Sequence, residues 1–404
     1  MMFTRCVLPA VKNRADLSQA RAVKDRLARW RGGEYTALWR EAVDMTRRKG
    51  RGKKKNKQQQ NISLEESNAE RSKRLIQQGE YTRGTQALMS AGLAEHTRDT
   101  IRIMREKHPA AQRPLFQPSS DAVQLSFNAE QVRKAVMSFR KGSAPGPDGL
   151  RAEHLKVAIK LSTPGRQGAA EEALVKLVNV MAAGGVPDDV APFLCGARLH
   201  AGNKKDGGIR PIAVGNILRR LTAKCISREL SKKAANFLSP HQMGVGVRGG
   251  IEAIVHTVRQ VMEEDKDAFL MQLDLVNAYN QVDRDHAFKE VEEHFPEMLK
   301  WVMTCYKNQA QLIFGTSTII SWAGFHQGDP LASLLFSLCV HPIIKIIVER
   351  MPNLLVNAWF LDDGSMVGSL AQLRSVVDIV LQYGPARGLH LKPGKSKIYC
   401  PALT

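Results

Sequence analysis

The stretch Trp359-Phe360-Leu361-Asp362-Asp363-Gly364-Ser365-Met366-Val367 places two adjacent carboxylates between two apolar runs. The apolar flanks favour two short β-strands, and Gly364 supplies the conformational freedom of a turn. We therefore predict a β-hairpin with Asp362 and Asp363 at its tip. Asp and Gly are also the commonest turn residues, so the pair alone does not distinguish a simple turn from a site for a hard divalent cation, which takes oxygen ligands.

A third carboxylate can join this pair. The run Phe269-Leu270-Met271-Gln272-Leu273-Asp274-Leu275 is typical of a buried strand, and it ends in a carboxylate at Asp274. If this strand and the hairpin share one sheet, Asp274, Asp362 and Asp363 meet at one edge of it. Three carboxylates there can bind two divalent ions, which together stabilise an in-line displacement at phosphorus.

Basic side chains suited to a triphosphate lie elsewhere in the chain. Residues 197–213 predict two strands joined at Asn203-Lys204-Lys205-Asp206-Gly207-Gly208, a strong hairpin signal. Lys204 and Lys205 lie in the turn, Arg210 on the return strand, and Lys395 near the end of the sequence. Arg binds phosphate oxygens through a rigid fork, and Lys acts as a point charge. Taken singly, each of these residues is ordinarily a solvated surface charge.

The overall charge indicates a polyanionic partner. The 404 residues include 59 Lys and Arg against 39 Asp and Glu, a formal net charge of +20, and nucleic acid is the usual partner of so basic a protein. Most of the excess lies in the first 115 residues. Residues 47–57 are a Lys- and Arg-rich run that we expect to be disordered when free. It fits a phosphate-binding arm or a nuclear-localisation signal as well as a solvated linker.

The cysteines and the apolar segments indicate where in the cell the protein is located. The six cysteines are far apart and form no CxxC pair, which argues against a disulfide framework and a zinc site and favours a reducing compartment. The N-terminus becomes charged too early for a signal peptide. The longest apolar run, Leu331 to Ile347, is interrupted by polar residues and Pro342, so we interpret it as a buried helix. We predict a nuclear or cytoplasmic protein that has no membrane partner.

The order of these motifs resembles the reverse transcriptase domain of non-LTR (LINE-type) retrotransposons. Any one block is weak, but six in the family's order over residues 144–397 are specific. The blocks are Ala144-Pro-Gly-Pro-Asp-Gly-Leu150, Lys204-Lys-Asp-Gly-Gly-Ile-Arg-Pro-Ile212, Leu273-Asp-Leu-Val-Asn-Ala-Tyr-Asn-Gln-Val-Asp283, Gln327-Gly-Asp-Pro-Leu331, Phe360-Leu-Asp-Asp-Gly364 and Gly388-Leu-His-Leu-Lys-Pro-Gly-Lys395.

The resemblance implies an architecture and a set of partners. It implies an α+β right-hand polymerase with fingers, an antiparallel palm sheet and a helical basic N-terminal extension. The expected regions are a basic extension over 1–60, a helical linker over 61–115, fingers and the start of the palm over 116–265, and palm over 266–404. The implied partners are an RNA template, a DNA primer and dNTPs. The implied cofactor is a pair of Mg²⁺ ions, with Mn²⁺ as an alternative. The sequence leaves the oligomeric state open.

The resemblance also assigns roles to individual residues. Asp274, Asp362 and Asp363 become the catalytic carboxylates and metal ligands. Tyr279 becomes an aromatic steric gate under the incoming sugar, although a core-packing ring explains it equally simply. The remaining nucleotide-binding residues implied are Lys204, Lys205, Arg210, Gln327, Gly328 and Lys395, the last of which would help to protonate pyrophosphate.

Two departures from the family pattern qualify this expectation. Leu361 stands where the family usually has Ala, which crowds a position near the primer end. Only nine residues follow Lys395, so the thumb, the primer-grip hairpin, the Cys/His segment and the upstream endonuclease domain are expected to be missing. We therefore expect a truncated polymerase with weak, distributive activity. The alternatives are a catalytically dead nucleic-acid-binding remnant, a group II intron maturase and an RNA-dependent RNA polymerase, against which Tyr279 argues.

Overall fold

The computed structural model describes residues 7, 17–44, 64–77, 79–119, 124–160 and 168–400. Within them, many helices accompany two four-stranded sheets, as the predicted α+β class requires. The basic run 47–57, which was predicted to be disordered, lies outside the described residues.

The elements are numbered in chain order. The strands are β1 (Ala197–Asn203), β2 (Ile209–Gly215), β3 (Phe269–Leu273), β4 (Ala310–Phe314), β5 (Ser317–Ser321), β6 (Val356–Phe360), β7 (Asp363–Gly368) and β8 (Lys397–Tyr399). The helices are α1 (Leu17–Arg31), α2 (Leu64–Gln77), α3 (Tyr81–Leu88), α4 (Arg98–Glu106), α5 (Ala129–Met137), α6 (Ala152–Lys160), α7 (Ala169–Ala182), α8 (Ala191–Leu194), α9 (Ile217–Glu229), α10 (Ser231–Leu238), α11 (Gly250–Glu264), α12 (Ala278–Gln281), α13 (Arg284–His294), α14 (Leu299–Tyr306), α15 (Ala332–Arg350) and α16 (Leu370–Tyr383). Residues 35–44 are also helical.

One sheet carries the predicted catalytic carboxylates, and we call it the carboxylate sheet. Its strand order is β6-β7-β3-β8, and each neighbouring pair is antiparallel. Strands β6 and β7 form the predicted hairpin, in which Phe360 pairs with Asp363. Strand β7 pairs with β3, where Leu273 lies opposite Gly364. The strand that leads to Asp274 therefore shares one sheet with the hairpin, which was the condition for Asp274 to lie near Asp362 and Asp363.

Both faces of the carboxylate sheet are covered. Met366 packs into the main core beside Trp359, whereas the next residue, Val367, packs against Met262 of α11 on the opposite face. This alternation is the side-chain period of a strand, and full burial of each such side chain contributes about 2 kcal/mol. A one-residue slip in register would bring Ser365 into the main core. The register that places Asp274 beside the hairpin is fixed in this way.

The second sheet carries the predicted basic hairpin and has the order β2-β1-β4-β5. Strands β1 and β2 are antiparallel, with Asn203 opposite Ile209, so the turn falls on residues 204–208 as predicted. Strands β1 and β4 are parallel. Helix α4 covers one face of the sheet through Met104, which packs with Leu199 and Leu312. The residues just after α4 are thereby held close to the basic hairpin.

The proline- and glycine-rich block 144–150 packs on the start of α9. A Cβ on Gly146 would lie 2.6 Å from the backbone of Asn216, so only glycine fits. The Asn216 side chain accepts a hydrogen bond from the Asp148 N–H (3.2 Å) and donates to two carbonyl oxygens just before β1. The block is therefore attached at the junction between β2 and α9.

Helix α15 is the one described helix that is long and apolar enough to cross a membrane. Of its apolar window, 67% is buried inside the protein. Leu335, Leu338 and Ile344 belong to the main core. This burial agrees with the predicted core helix at Leu331 to Ile347.

Between Leu389 and Tyr399, only β8 is a strand. The N–H groups of Lys395 and Ser396 instead both donate to the Lys392 carbonyl (3.0 Å each), which forms a turn. The segment after Asp274 forms two helices, α12 and α13, and the Asp283 carboxylate caps α13 by accepting the His286 N–H (2.9 Å).

Candidate active site

A cleft of about 390 Å³ lies where the carboxylate hairpin faces the basic hairpin. Its volume is in the range of small-molecule binding sites. Seven of the ten predicted site residues line it, namely Lys204, Arg210, Asp274, Tyr279, Gln327, Gly328 and Asp362. The sequence therefore identified most of the polar lining of this cleft.

The two carboxylates at the tip of the hairpin have raised pKa values. Burial, followed by the charge of Asp274, raises the pKa of Asp362. Burial and the charges of Asp362 and Asp274 likewise raise the pKa of Asp363. Like charges held in this way favour a cation between them. Asp274 and Asp362 also offer the oxygen ligands that Mg²⁺ prefers, so this pair fits the implied ion.

Asp363 is placed differently from the other two. It is exposed and does not line the cleft. Among the described residues, no group of three or more His, Cys, Asp or Glu side chains is arranged to hold a metal ion. Two of the three predicted ligands thus share the cleft, and the third lies on the next residue of the hairpin.

A buried glutamine holds the tip of the carboxylate hairpin. Leu361 adopts a left-handed backbone with φ of 59°, which is strained for a residue with a Cβ. The side-chain oxygen of Gln242 accepts the Leu361 N–H (2.8 Å), and its amide nitrogen donates to the Leu361 carbonyl (3.1 Å). Gln242 is fully buried. It therefore fixes the turn immediately before Asp362.

Tyr279 is held from two sides at the edge of the cleft. Its ring stacks on Phe336, with centroids 4.8 Å apart, and its hydroxyl lies 3.3 Å from the Ser333 Oγ. Burial raises the pKa of Tyr279 to about 12, so the phenol is neutral at physiological pH. One side of the ring packs into the core while the residue still lines the cleft. This position suits the predicted gate and also explains the core-packing interpretation.

A buried ion pair at Asp329 holds the loop that carries Gln327 and Gly328. Asp329 accepts a bond from the Arg219 guanidinium (2.7 Å) and another from the Tyr306 hydroxyl (2.8 Å). The Gln327 carbonyl accepts the Ala213 N–H of β2 (2.9 Å). Asp329 thus acts as a support for the two residues that line the cleft. A buried charge pair of this kind is costly to break.

The basic residues divide into two groups. Lys204 and Arg210 line the cleft, whereas Lys205 lines an adjoining cavity of about 630 Å³ and not the cleft. Lys395 forms an ion pair with Asp206 at the tip of the basic hairpin, and its ammonium lowers the pKa of Asp206 to about 2. The structure therefore joins Lys395 to the basic hairpin and does not place it in the cleft.

Sequence reasoning missed several residues of the site. Lys107 and Lys392 line the cleft, while Gln242 and Arg219 support it from behind. Lys392 lies in the predicted C-terminal block, three residues before Lys395, and its N–H donates to the Asp274 carbonyl (2.8 Å). The presence of Lys392 in the C-terminal block was the sequence feature that could have identified it as a residue of the site. No local pattern marks Lys107 or Gln242.

One family model matches the part of the chain that contains most of this cleft. Residues 203–403 match the family described as reverse transcriptase (RNA-dependent DNA polymerase). No curated protein matches the chain. Similar solved structures include apo telomerase from Candida tropicalis truncated from its C-terminal domain, with 13% identity, a TM-score of 0.40, and coverage of 52% of this chain and 50% of that one. Another is telomerase from Candida albicans in complex with a fragment of telomeric RNA, with 11% identity, a TM-score of 0.41, and coverage of 59% and 47%.

The chain spans about half the length of these telomerase structures, and scores this low support no inference about activity. The family match has a firmer meaning. It begins at the tip of the basic hairpin, includes the whole carboxylate sheet, and contains all ten predicted site residues. Residues 203–403 of this chain are therefore a reverse transcriptase domain.

Proposed function

We propose that this chain is the nucleotidyl-transfer core of an RNA-directed DNA polymerase of the non-LTR retroelement type. One observation carries the proposal. Asp274 and Asp362, from adjacent strands of one sheet, share a cleft with Lys204 and Arg210 of the basic hairpin. Carboxylates opposite phosphate-binding cations are the arrangement that phosphoryl transfer requires.

Each side chain has a role in this proposal. Two Mg²⁺ ions, when held by Asp274, Asp362 and Asp363, would supply the positive charge that stabilises the in-line displacement. Lys204 and Arg210 bind the triphosphate of the incoming nucleotide. The Tyr279 ring lies under the sugar, where it excludes a 2′-hydroxyl and favours dNTPs.

The partners follow from charge and from the polymerase assignment. A net charge of +20 suits an RNA template and a DNA primer, whose phosphates release counterions when they are neutralised. Affinity for primer–template should therefore fall steeply as salt rises. The basic extension over residues 1–60 would contribute much of this attraction.

Primer extension tests the proposal. The full chain, an RNA template with an annealed DNA primer, dNTPs and Mg²⁺ should give extension that EDTA abolishes. The control is an Asp362→Ala/Asp363→Ala double variant, in which extension should be lost while primer–template binding persists. Extension equal in the wild type and this variant would overturn the proposal. Salt-sensitive binding with no extension and no need for Mg²⁺ would instead support a nucleic-acid-binding remnant.

The choice of nucleotide separates the polymerase classes. The same assay with NTPs in place of dNTPs should give much less product, because Tyr279 excludes the ribose 2′-hydroxyl. Equal or faster incorporation of NTPs would indicate an RNA-dependent RNA polymerase.

A further inference from the structure

Lys107 brings a positive charge into the cleft from outside the matched reverse transcriptase domain. It follows the last residue of α4 and lines the same cleft as Lys204, Arg210 and Asp362. The family match begins at residue 203, nearly one hundred residues further along the chain. None of the six sequence blocks that resemble the family includes Lys107.

Two asparagines attach the Lys107 backbone to the loop after Asp274. The Lys107 carbonyl accepts a hydrogen bond from Asn277 Nδ2 (2.9 Å) and another from Asn280 Nδ2 (3.0 Å). Asn277 adopts a left-handed backbone with φ of 46°, a conformation that Asn tolerates better than most residues. The position of Lys107 is thereby coupled to the strand that carries the first catalytic carboxylate.

The surroundings of the Lys107 ammonium are positive. Burial lowers the pKa of Lys107, and the charges of Lys204 and Lys392 lower it further. Within the described part of the chain, no carboxylate forms an ion pair with it, and its ammonium makes no side-chain hydrogen bond. A half-buried cation next to other cations is unfavourable unless an anion neutralises them. The charge of Asp206 partly offsets these cations, and the part of the cleft next to Lys107 therefore suits a ligand that carries negative charge.

We propose that Lys107 is a third cationic ligand of the incoming nucleotide's triphosphate, together with Lys204 and Arg210. The assignment rests on the proposed function only in taking the cleft as a nucleotide site. Lys107 reaches this site from the N-terminal helical region, while the other two cations come from the basic hairpin. The asparagine contacts then fix the spacing between the phosphates and Asp274.

Equilibrium binding of a fluorescent dGTP analogue to the full chain, in Mg²⁺ and without primer–template, tests this role. Lys107→Met keeps the apolar stem and removes a charge that is unfavourable in the free cleft, so its thermal midpoint should equal or exceed that of the wild type. Its Kd should rise roughly ten- to a hundredfold, as for the loss of a hydrogen bond to a charged group. Lys107→Arg should restore most of the affinity.

Arg105→Ala is the matched control. Arg105 lies in the last turn of α4, is exposed and does not line the cleft, so the variant loses one charge from the same helix end without losing a ligand. Its Kd should equal that of the wild type. A Lys107→Met variant that binds as tightly as Arg105→Ala, or a wild-type chain that binds no analogue, would overturn the assignment.

Primer extension then distinguishes this proposal from the proposed function. Lys107→Met should raise the KM for dNTP more than it lowers kcat, because the lost interaction is formed in the ground state too. If binding of the dGTP analogue depends on Lys107 but the chain extends no primer, Lys107 is a triphosphate ligand and polymerase activity is refuted. Primer extension by Lys107→Met with an unchanged KM for dNTP would support polymerase activity and refute the role of Lys107.

Discussion

Replacing Gln242 tests whether the strained tip of the carboxylate hairpin is held from outside. The Gln242 side chain makes three hydrogen bonds to backbone groups, two with Leu361 and one with the Gly244 N–H (3.0 Å). Gln242→Leu removes all three at a site that is fully buried. At about 1 kcal/mol each, the free energy of unfolding should fall by about 3 kcal/mol.

Gln242→Leu should also impair the activity of the molecules that remain folded. Without Gln242, Leu361 can leave its left-handed conformation, which costs about 1–2 kcal/mol to hold, and Asp362 then moves. We expect Gln242→Leu to lower kcat in primer extension and to raise the Mg²⁺ concentration that gives half-maximal activity. Urea unfolding and a Mg²⁺ titration of extension measure the two effects separately.

A variant that is equally destabilised at a distance provides the control. Ile226 is fully buried in α9, and Ile226→Ala should cost about 2–5 kcal/mol without touching the hairpin. At a temperature where both variants are folded, only Gln242→Leu should change the Mg²⁺ requirement. If both variants show the same kcat and Mg²⁺ dependence, Gln242 has only a general role in stability and the reasoning fails.

Three further substitutions test other parts of the site. Asp329→Asn leaves the buried charge of Arg219 unpaired and should cost about 3–5 kcal/mol in urea unfolding; a loss below 1 kcal/mol would contradict the support assigned to this pair. Tyr279→Val should relax discrimination against NTPs in extension assays and should also lower the thermal midpoint, because the stacking on Phe336 is lost; unchanged discrimination would remove the gate. Gly244→Ala should be destabilised because its Cβ would lie 2.7 Å from the Leu361 side chain and 2.8 Å from the Leu361 nitrogen. Adding Leu361→Ala to Gly244→Ala should restore only part of the lost stability, because the contact with the Leu361 nitrogen remains. Thermal midpoints measure this effect. Complete restoration would show that the whole clash is with the Leu361 side chain.

The features that sequence could predict are those specified by local patterns. The Asp362-Asp363 hairpin follows from two apolar runs around a turn, and the basic hairpin from its Gly-Gly turn. The pairing of β3 with β7 was a condition set on the strand patterns, and the observed register meets it. The contacts of Gln242 with Leu361 and of Lys107 with Asn277 span 119 and 170 residues. No periodicity within one segment predicts such contacts, because they depend on how distant elements pack.

The strained backbone of the cleft shows why such distant contacts matter. Among the described residues, only Asn277 and Leu361 are non-glycine residues with a left-handed backbone, and both line the cleft. Each is tied to a side chain or carbonyl from a remote part of the chain, Leu361 to Gln242 and Asn277 to Lys107. Strain of this kind persists only where surrounding structure holds it. The geometry around Asp274 and Asp362 therefore depends on the segment after α4 as well as on the matched domain, so the cleft includes a residue that lies nearly one hundred residues before the family match.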